Sequence, residues 1–343
     1  MARSRIGGPP SLFRRWCLSA LGTGINANGL RFLLLAQRQG ADFSRVAMLG
    51  RQGIHISFDR FADILRREFG VDQSLSDLRA IHGHFYAEKL FRLLGAHEVI
   101  SVDASSYEGA DIVHDFNAPI PDELKRNFSL VFDGGTLEHV FFFTTALRNA
   151  MEMVCVGGGF IGVSPANNEM GHGFYQISPE LYFRALNPRN GFALDQMYLH
   201  EGRESRRWFR VADPDAIVQR VTLLNTRPTL LSVRATCQSD QDIFATPPQQ
   251  SDYSRAWSAE DSANSRTTEK RSALRRMLHF LPIPFKRAIT IARVQIRERL
   301  IRRRMLAGGG HDRRGLVPFD PVVAARETEG KPVRLGGGEV KRT

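Results

Sequence analysis

The sequence predicts an α/β architecture with a mostly parallel, doubly wound sheet. Short apolar runs of strand length ("RVAML", "EVISVDAS", "DIVHDFN", "FSLVFDGG" and "FIGVSPA") alternate with segments of helical length. The first four runs lead into Gly50, Asp103, Asp115 and Asp133-Gly134-Gly135, residue types that end strands and begin turns. With 343 residues, 42% of them hydrophobic and 24% charged, core size is not limiting.

The elements follow in chain order. Residues 27–39, "NGLRFLLLAQRQG", predict a helix stopped at Gly40, and 45–49 a short buried strand running into Gly50. "SFDRFADILRREFG" opens with Ser57 as N-cap and closes at Gly70. "SLSDLRAIHGHFYAEKLFRLLGA" supplies one or two further helices before Gly95. The strand–helix alternation then begins. "TTALRNAMEMVCVGGG" reads as a helix with a glycine stop and "SPELYFRAL" as another helix. "FALDQMYLHE" and "TLLSVRATC" are two last strands, close enough in sequence to form an antiparallel edge to a seven-stranded sheet.

Charge divides the chain. Residues 1–41 carry six arginines and no acid, and 270–314 carry fourteen basic residues against Glu298 and Asp312. The body, 42–269, holds 22 basic and 30 acidic residues, so the net +11 comes from basic ends on an acidic core. The expected organisation is a flexible basic segment (1–25), a globular domain (26–240), a polar Pro/Ser/Gln-rich linker (241–269), a basic amphipathic helical segment (270–306) and a disordered Gly-rich tail (307–343). Basic amphipathic character in 270–306 favours an anionic membrane surface over nucleic acid, because the body contains no nucleic-acid-binding motif and is itself acidic. No apolar run approaches the roughly 18 residues of a membrane-spanning helix. Cys17, Cys155 and Cys237 fit no zinc or redox spacing, and a reducing, cytoplasmic setting with peripheral membrane contact is the expectation.

In an open parallel sheet, ligands sit beyond the carboxyl ends of the strands, where strand order reverses. "VAMLGRQG", "VISVDAS", "DIVHDFNAPIP", "FSLVFDGGTLEHV" and "ALRNAMEMVCVGGGFIGVSP" stand at those positions. Together they resemble the class I S-adenosylmethionine-dependent methyltransferases, of the small-molecule, type 11-like kind, over about residues 45–236. The resemblance implies a Rossmann-like fold and S-adenosyl-L-methionine as cofactor. It implies that Gly50 and Gly53 let the backbone approach the methionine part, with Arg51 beside its carboxylate. It implies that Asp103 and Ala104 meet the ribose, that Asp115 and Phe116 meet the adenine, and that Asp133 and Gly134 line the methyl-donor side. No metal is required. The sequence departs from the family in two places. The usual acidic Gly-x-Gly-x-Gly loop is reduced to Gly50-Arg51-Gln52-Gly53. Asp103 lies 50 residues after Gly53, where about 20 is typical of a nucleotide-binding βαβ unit, so a helical insertion must intervene.

On the acceptor side stand Glu138 and His139, and the polar loop with Asn167, Asn168, His172 and Tyr175. Methyl transfer is an in-line displacement that needs positioning and, for some acceptors, a base. His139 and His172 are rival bases, and the plain alternative for each is a packed or capping histidine. The arginine cluster "EGRESRRWFR" could hold an acceptor phosphate or carboxylate, or simply be a solvated face. Two functions are consistent with this pattern. One is methyl transfer to a small-molecule or saccharide acceptor. The other is a catalytically degenerate fold acting as a binding or assembly protein. A nicotinamide dehydrogenase and a nucleophile-elbow hydrolase are disfavoured, since Gly-x-Gly-x-x-Gly at the first strand and Gly-x-Ser-x-Gly are both missing.

Overall fold

The computed structural model describes residues 24–202, 204–265 and 313–328, together with 282, 284–285, 291–292, 295–296 and 299–300. Its centre is strand β1 (Arg45–Leu49), buried along most of its length. β1 pairs in parallel with β2 (Glu98–Asp103) on one side and with β4 (Phe128–Asp133) on the other. β2 pairs in parallel with the two-residue β3 (Ile112–Val113), and β4 with β5 (Val154–Asn167). Strand order therefore reverses between β1 and β4, the position at whose carboxyl ends open α/β sheets bind ligands.

Beyond β5 the sheet turns antiparallel, through β9 (Thr229–Cys237), β6 (Phe192–Glu201), β7 (Trp208–Val211) and β11 (Leu316–Phe319). The sheet thus has nine strands rather than the expected seven. The two last predicted strands do pair antiparallel, but β9 is interior, inserted between β5 and β6. A separate ribbon joins β8 (Thr222–Leu223) to β10 (Arg313–Arg314).

One face of the sheet is covered by α1 (Ala27–Arg38), α2 (Phe58–Asp63) with its π-helical continuation Ile64–Glu68, α3 (Leu75–His82) and α4 (Glu88–Leu93). The other face is covered by α5 (Phe143–Met153) and α6 (Pro179–Ala185). α1 starts as the sequence implies: the Asn26 side chain accepts from the Asn28 and Gly29 amides, both at 3.0 Å. Its last turn ends at Arg38, before Gly40. α1 buries Arg31 completely, and the guanidinium grips Glu68 with two bonds of 2.6 and 2.9 Å. Burial, the largest single influence, would raise the Glu68 carboxyl, but Arg31 together with the charges of Arg60 and Arg206 holds it below its ordinary value.

Three expectations are corrected. The glycines after α5 do not stop a helix. α5 ends at Met153, β5 begins at Val154, and the glycines lie within that strand. The register runs Phe128↔Val154 and then Leu130↔Gly159, so three extra residues bulge out of β5, with Gly157 at φ +87°. The expected linker contains helix α7 (Ser251–Ser265). The expected disordered tail folds back over 313–328. β11 closes the sheet edge, and α8 (Pro321–Glu327) lays Val322 and Ala325 into the core beside α1. Most of 270–306 and all of 1–23 lie outside the described residues. No helix among the described residues is long and apolar enough to cross a membrane.

Candidate functional site

The carboxyl ends of β1, β2 and β4 converge. Gly50 has φ +69°, and its amide donates to Val102 O at 2.7 Å. A Cβ at Gly50 would stand 2.7 Å from Thr136 Oγ1 and 3.8 Å from Asp103 Oδ2, so only glycine lets the loop pass here. Thr136 Oγ1 donates to Leu49 O at 2.7 Å, and Gln52 Nε2 donates to Leu49 O at 2.6 Å and to Thr136 Oγ1 at 3.1 Å. Gln52 also abuts Gly134, where an added Cβ would come within 2.5 Å of its Oε1. Gln52 and Thr136 therefore stitch the two strand ends together. Sequence reasoning passed over both, and the signal was a polar residue inside the glycine loop.

Asp103 is half-buried beside the exposed Ala104, and its Oδ1 receives the Ser105 amide at a long 3.4 Å. Arg51 is spoken for: it bonds Glu88 at 2.7 Å and Glu108 O at 2.7 Å, and lies over the Tyr86 ring at 4.2 Å. Its carboxylate partner here is Glu88, an acid of the helical insertion. Gly53 is also engaged within the protein, since its carbonyl accepts the Ile25 amide at 2.8 Å and a Cβ would strike the Phe85 ring at 2.9 Å. Asp115 is exposed and accepts the Asn117 amide and side chain at 2.9 and 2.8 Å. Phe116 is core, only 2% exposed, rather than an open face for an aromatic ring.

Asp133 is wholly buried. Its Oδ1 accepts the amides of Gly135, Thr136 and Leu137 at 3.2, 2.7 and 3.3 Å, while Oδ2 has no partner among the described residues. Burial and the neighbouring Glu138 charge push its carboxyl up to about 7, against the pull of those amides. The 3₁₀ turn Leu137–His139 then points Glu138 inward and leaves His139 at the surface. Loop 168–176 is clamped onto this turn: the Phe174 amide donates to Glu138 O at 2.8 Å. Gly173, at φ +69°, allows the approach, since a Cβ would sit 2.8 Å from that same oxygen. The clamp brings His172 Nε2 to 3.2 Å from Glu138 Oε1 and its ring to 4.9 Å from that of His139. The two rival histidines are thus in contact. Partial burial lowers the His139 pKa; Glu138 opposes the shift and His172 adds to it.

Around the histidines lies a rim of exposed rings, Phe141, Phe142 and Phe174. Phe141 meets Phe142 and Phe174 edge-on at 5.4 and 5.8 Å, and Tyr175 Oη donates to Phe141 O at 2.6 Å. Asn167 and Asn168 do not join this rim. Their side-chain amides bond Asn225, and that of Asn168 also reaches Arg227 O at 2.8 Å, pinning the 223–229 segment. The 201–210 arginine cluster is no anion cradle among the described residues. Trp208 is core, Arg206 pairs with Asp320 at 3.3 Å, and Arg210 lies over Phe319. A cleft of about 1180 Å³ between α2 and α3 lies apart from the strand ends; within it Arg60 pairs with Asp63.

Fold and site define a doubly wound α/β protein with polar residues at its strand switch point and, beside them, a buried carboxylate in contact with two more exposed histidines. No protein-family profile matches the chain, and no curated protein matches its sequence. Solved structures similar to it include the N-methyltransferase NodS from Bradyrhizobium japonicum in complex with S-adenosylhomocysteine. That pair shares 12% identity over 65% of this chain and 92% of the other, at a TM-score of 0.34. A second is the 1,6-didemethyltoxoflavin-N1-methyltransferase of Burkholderia thailandensis, with 1,6-didemethyltoxoflavin and S-adenosylhomocysteine bound: 10% identity, 66% and 84% coverage, TM-score 0.34. A third is a mutein of the branched-chain polyamine synthase of Thermus thermophilus: 14% identity, 63% and 57% coverage, TM-score 0.32.

Proposed function

We propose that the chain transfers a methyl group from S-adenosylmethionine to a small-molecule acceptor. The observation that carries this reading is Asp103: a half-buried carboxylate at the end of β2, next to the left-handed Gly50, with one long hydrogen bond to its side chain among the described residues. An acid at this position suits a ribose diol, which offers two hydroxyl donors. Asp103, Ala104 and Gly50 stand where we place the cofactor, whereas Arg51, Gly53, Phe116 and Gly134 are engaged within the protein.

S-adenosylmethionine supplies, when bound, a methyl group on a positively charged sulfonium. The chain's own part is positioning. Gln52 and Thr136 fix the gap between β1 and β4. Glu138, His172 and His139 form the polar group we place beside the acceptor. The exposed phenylalanine rim favours an acceptor with an apolar or aromatic body over a highly polar one. Calorimetric titration with S-adenosylmethionine and S-adenosylhomocysteine tests the reading. Micromolar binding that is lost in Asp103→Ala is expected, and no binding at millimolar cofactor would refute it.

A second reading, a non-catalytic binding protein of the same fold, is favoured by one observation. Arg51, tied to Glu88 and to the carbonyl of Glu108, closes the glycine loop against the helical insertion. Arg51→Ala separates the two readings: it improves cofactor affinity if the bridge obstructs the site and leaves it unchanged otherwise. Contact of segment 270–306 with an anionic membrane stays part of the proposal. Cosedimentation with phosphatidylserine vesicles, compared with neutral ones, tests it.

A further inference from the structure

Glu138, His139 and His172 bring one carboxylate oxygen and two imidazole nitrogens to within 4.8 Å of one another. The three come from two separate segments, the 3₁₀ turn after β4 and the loop after β5, locked by the Phe174 amide to Glu138 carbonyl bond. We propose that this cluster is a binding site for a divalent transition-metal ion of zinc's class.

Several observations favour it over an ordinary surface ion pair. His172 Nε2 and Glu138 Oε1 are 3.2 Å apart. That is long beside the 2.6 Å Arg31–Glu68 contact in the same molecule. It matches the roughly 3.3 Å between two ligands that each lie about 2.0–2.1 Å from a tetrahedral ion. Glu138 is fully buried, and its second oxygen, Oε2, has no hydrogen-bond partner among the described residues. A buried, half-satisfied carboxylate is costly, and an ion supplies the missing partner. Buried Asp133, also with one unpartnered oxygen, stands close enough to feel the Glu138 charge, so a cation here would offset two carboxylates. Drawing the ligands onto one ion requires side-chain shifts of under about 1 Å. His139 is exposed and His172 half-buried, so the open side of the ion faces solvent and the phenylalanine rim.

Two imidazoles and one carboxylate select zinc, cobalt, nickel or iron(II) over magnesium and calcium, which prefer all-oxygen sets. Three protein ligands with an open position are the pattern of a site that admits an exogenous oxygen, here an acceptor hydroxyl or water. Neither histidine spacing nor cysteine content announces the site, because His172 lies 33 residues beyond His139 and only the Gly173 clamp brings them together.

Metal binding is measured without cofactor or acceptor, so the proposal stands apart from the methyl-transfer reading. The full chain, stripped with chelator, is titrated calorimetrically with Zn²⁺, Co²⁺ and Mg²⁺. Expected are one equivalent of Zn²⁺ at micromolar affinity or tighter, visible Co²⁺ absorption of imidazole-ligated type, and no measurable Mg²⁺ binding. His172→Ala and Glu138→Gln should each weaken Zn²⁺ by about 100-fold or more. His139→Ala, at an exposed position, keeps the experiment decisive if either buried-side variant fails to fold. Zn²⁺ binding no tighter than millimolar, Zn²⁺ affinity unaltered in the folded variants, or Mg²⁺ binding as tight as Zn²⁺ would each overturn the proposal.

Discussion

Asp133 shows how a single residue stores a pH response. Its folded-state pKa is raised from 3.8 to about 7, so the folded chain holds that proton more tightly than the unfolded chain. The stabilisation linked to this proton is fully present below about pH 3.8 and is lost as pH rises through about 7. Asp133→Asn keeps an acceptor for the three amides and removes the charge. Its melting temperature should exceed the parent's at pH 8, with the gain shrinking towards pH 5; a gain that grows on acidification would contradict the assignment. Gly173→Ala belongs at the same scale. A left-handed alanine facing the Glu138 carbonyl costs about 1–3 kcal/mol, and it should release the loop. Thermal denaturation measures the cost, and faster hydrogen exchange of the Phe174 amide, which donates to the Glu138 carbonyl, reports the release. Asp103 and Asp133 were legible in the sequence because strand ends favour turn-forming acids. Gln52, Thr136 and Glu88 were not, because their roles arise from side chains meeting across segments far apart in the chain.

Among the elements, α1 and the π-helical turn at Ile64–Glu68 form one mechanical unit through Arg31 and Glu68. Arg31 also donates to Asn28 Oδ1 at 3.0 Å, and Arg60 reaches Glu68 at 3.1 Å, so Glu68 anchors two cations. Glu68→Ala leaves Arg31 buried and unpaired and should cost about 3–5 kcal/mol in urea denaturation. Replacing both partners with Arg31→Met and Glu68→Leu should recover most of that loss, because removing the two buried charges together also removes their desolvation cost. A double variant as unstable as the single one would show that the pair contributes more than its mutual compensation. The helical insertion was legible from the Gly53-to-Asp103 spacing. The bulge in β5 was not, since a glycine run reads alike whether it stops a helix or kinks a strand.

For the whole molecule, the acid limit of stability is set partly by His200. It is buried against Trp208, bonded to Ser232 Oγ at 2.7 Å, and its pKa is lowered to about 3, chiefly by burial and then by Arg31. A depressed histidine contributes stability that is present above its unfolded value of 6.5 and is lost as pH falls towards about 3. His200→Gln should therefore flatten the fall in melting temperature between pH 6.5 and 4; an unchanged slope would assign that fall to other groups. The doubly wound half of the sheet was predictable because each parallel strand carries its own apolar run, and the runs of β2, β3 and β4 lead into Asp103, Asp115 and Asp133. The antiparallel half was only partly so. β11 and α8 are contributed by a segment whose Gly-rich surroundings read as disorder, and they become structure only by meeting β7 and α1.

That meeting has a consequence for synthesis. α1 leaves the ribosome well before its partner α8, residues 321–327, is made, and Arg38 Nη1 waits for the carbonyl of Ala325, 2.8 Å away in the finished fold. Until then β7 presents a bare edge and the Tyr198 ring lacks Phe319, which later stacks on it at 4.3 Å. Throughout that interval the nascent chain carries an adhesive flank, a window in which a chaperone would have something to hold and a neighbouring nascent copy something to pair with.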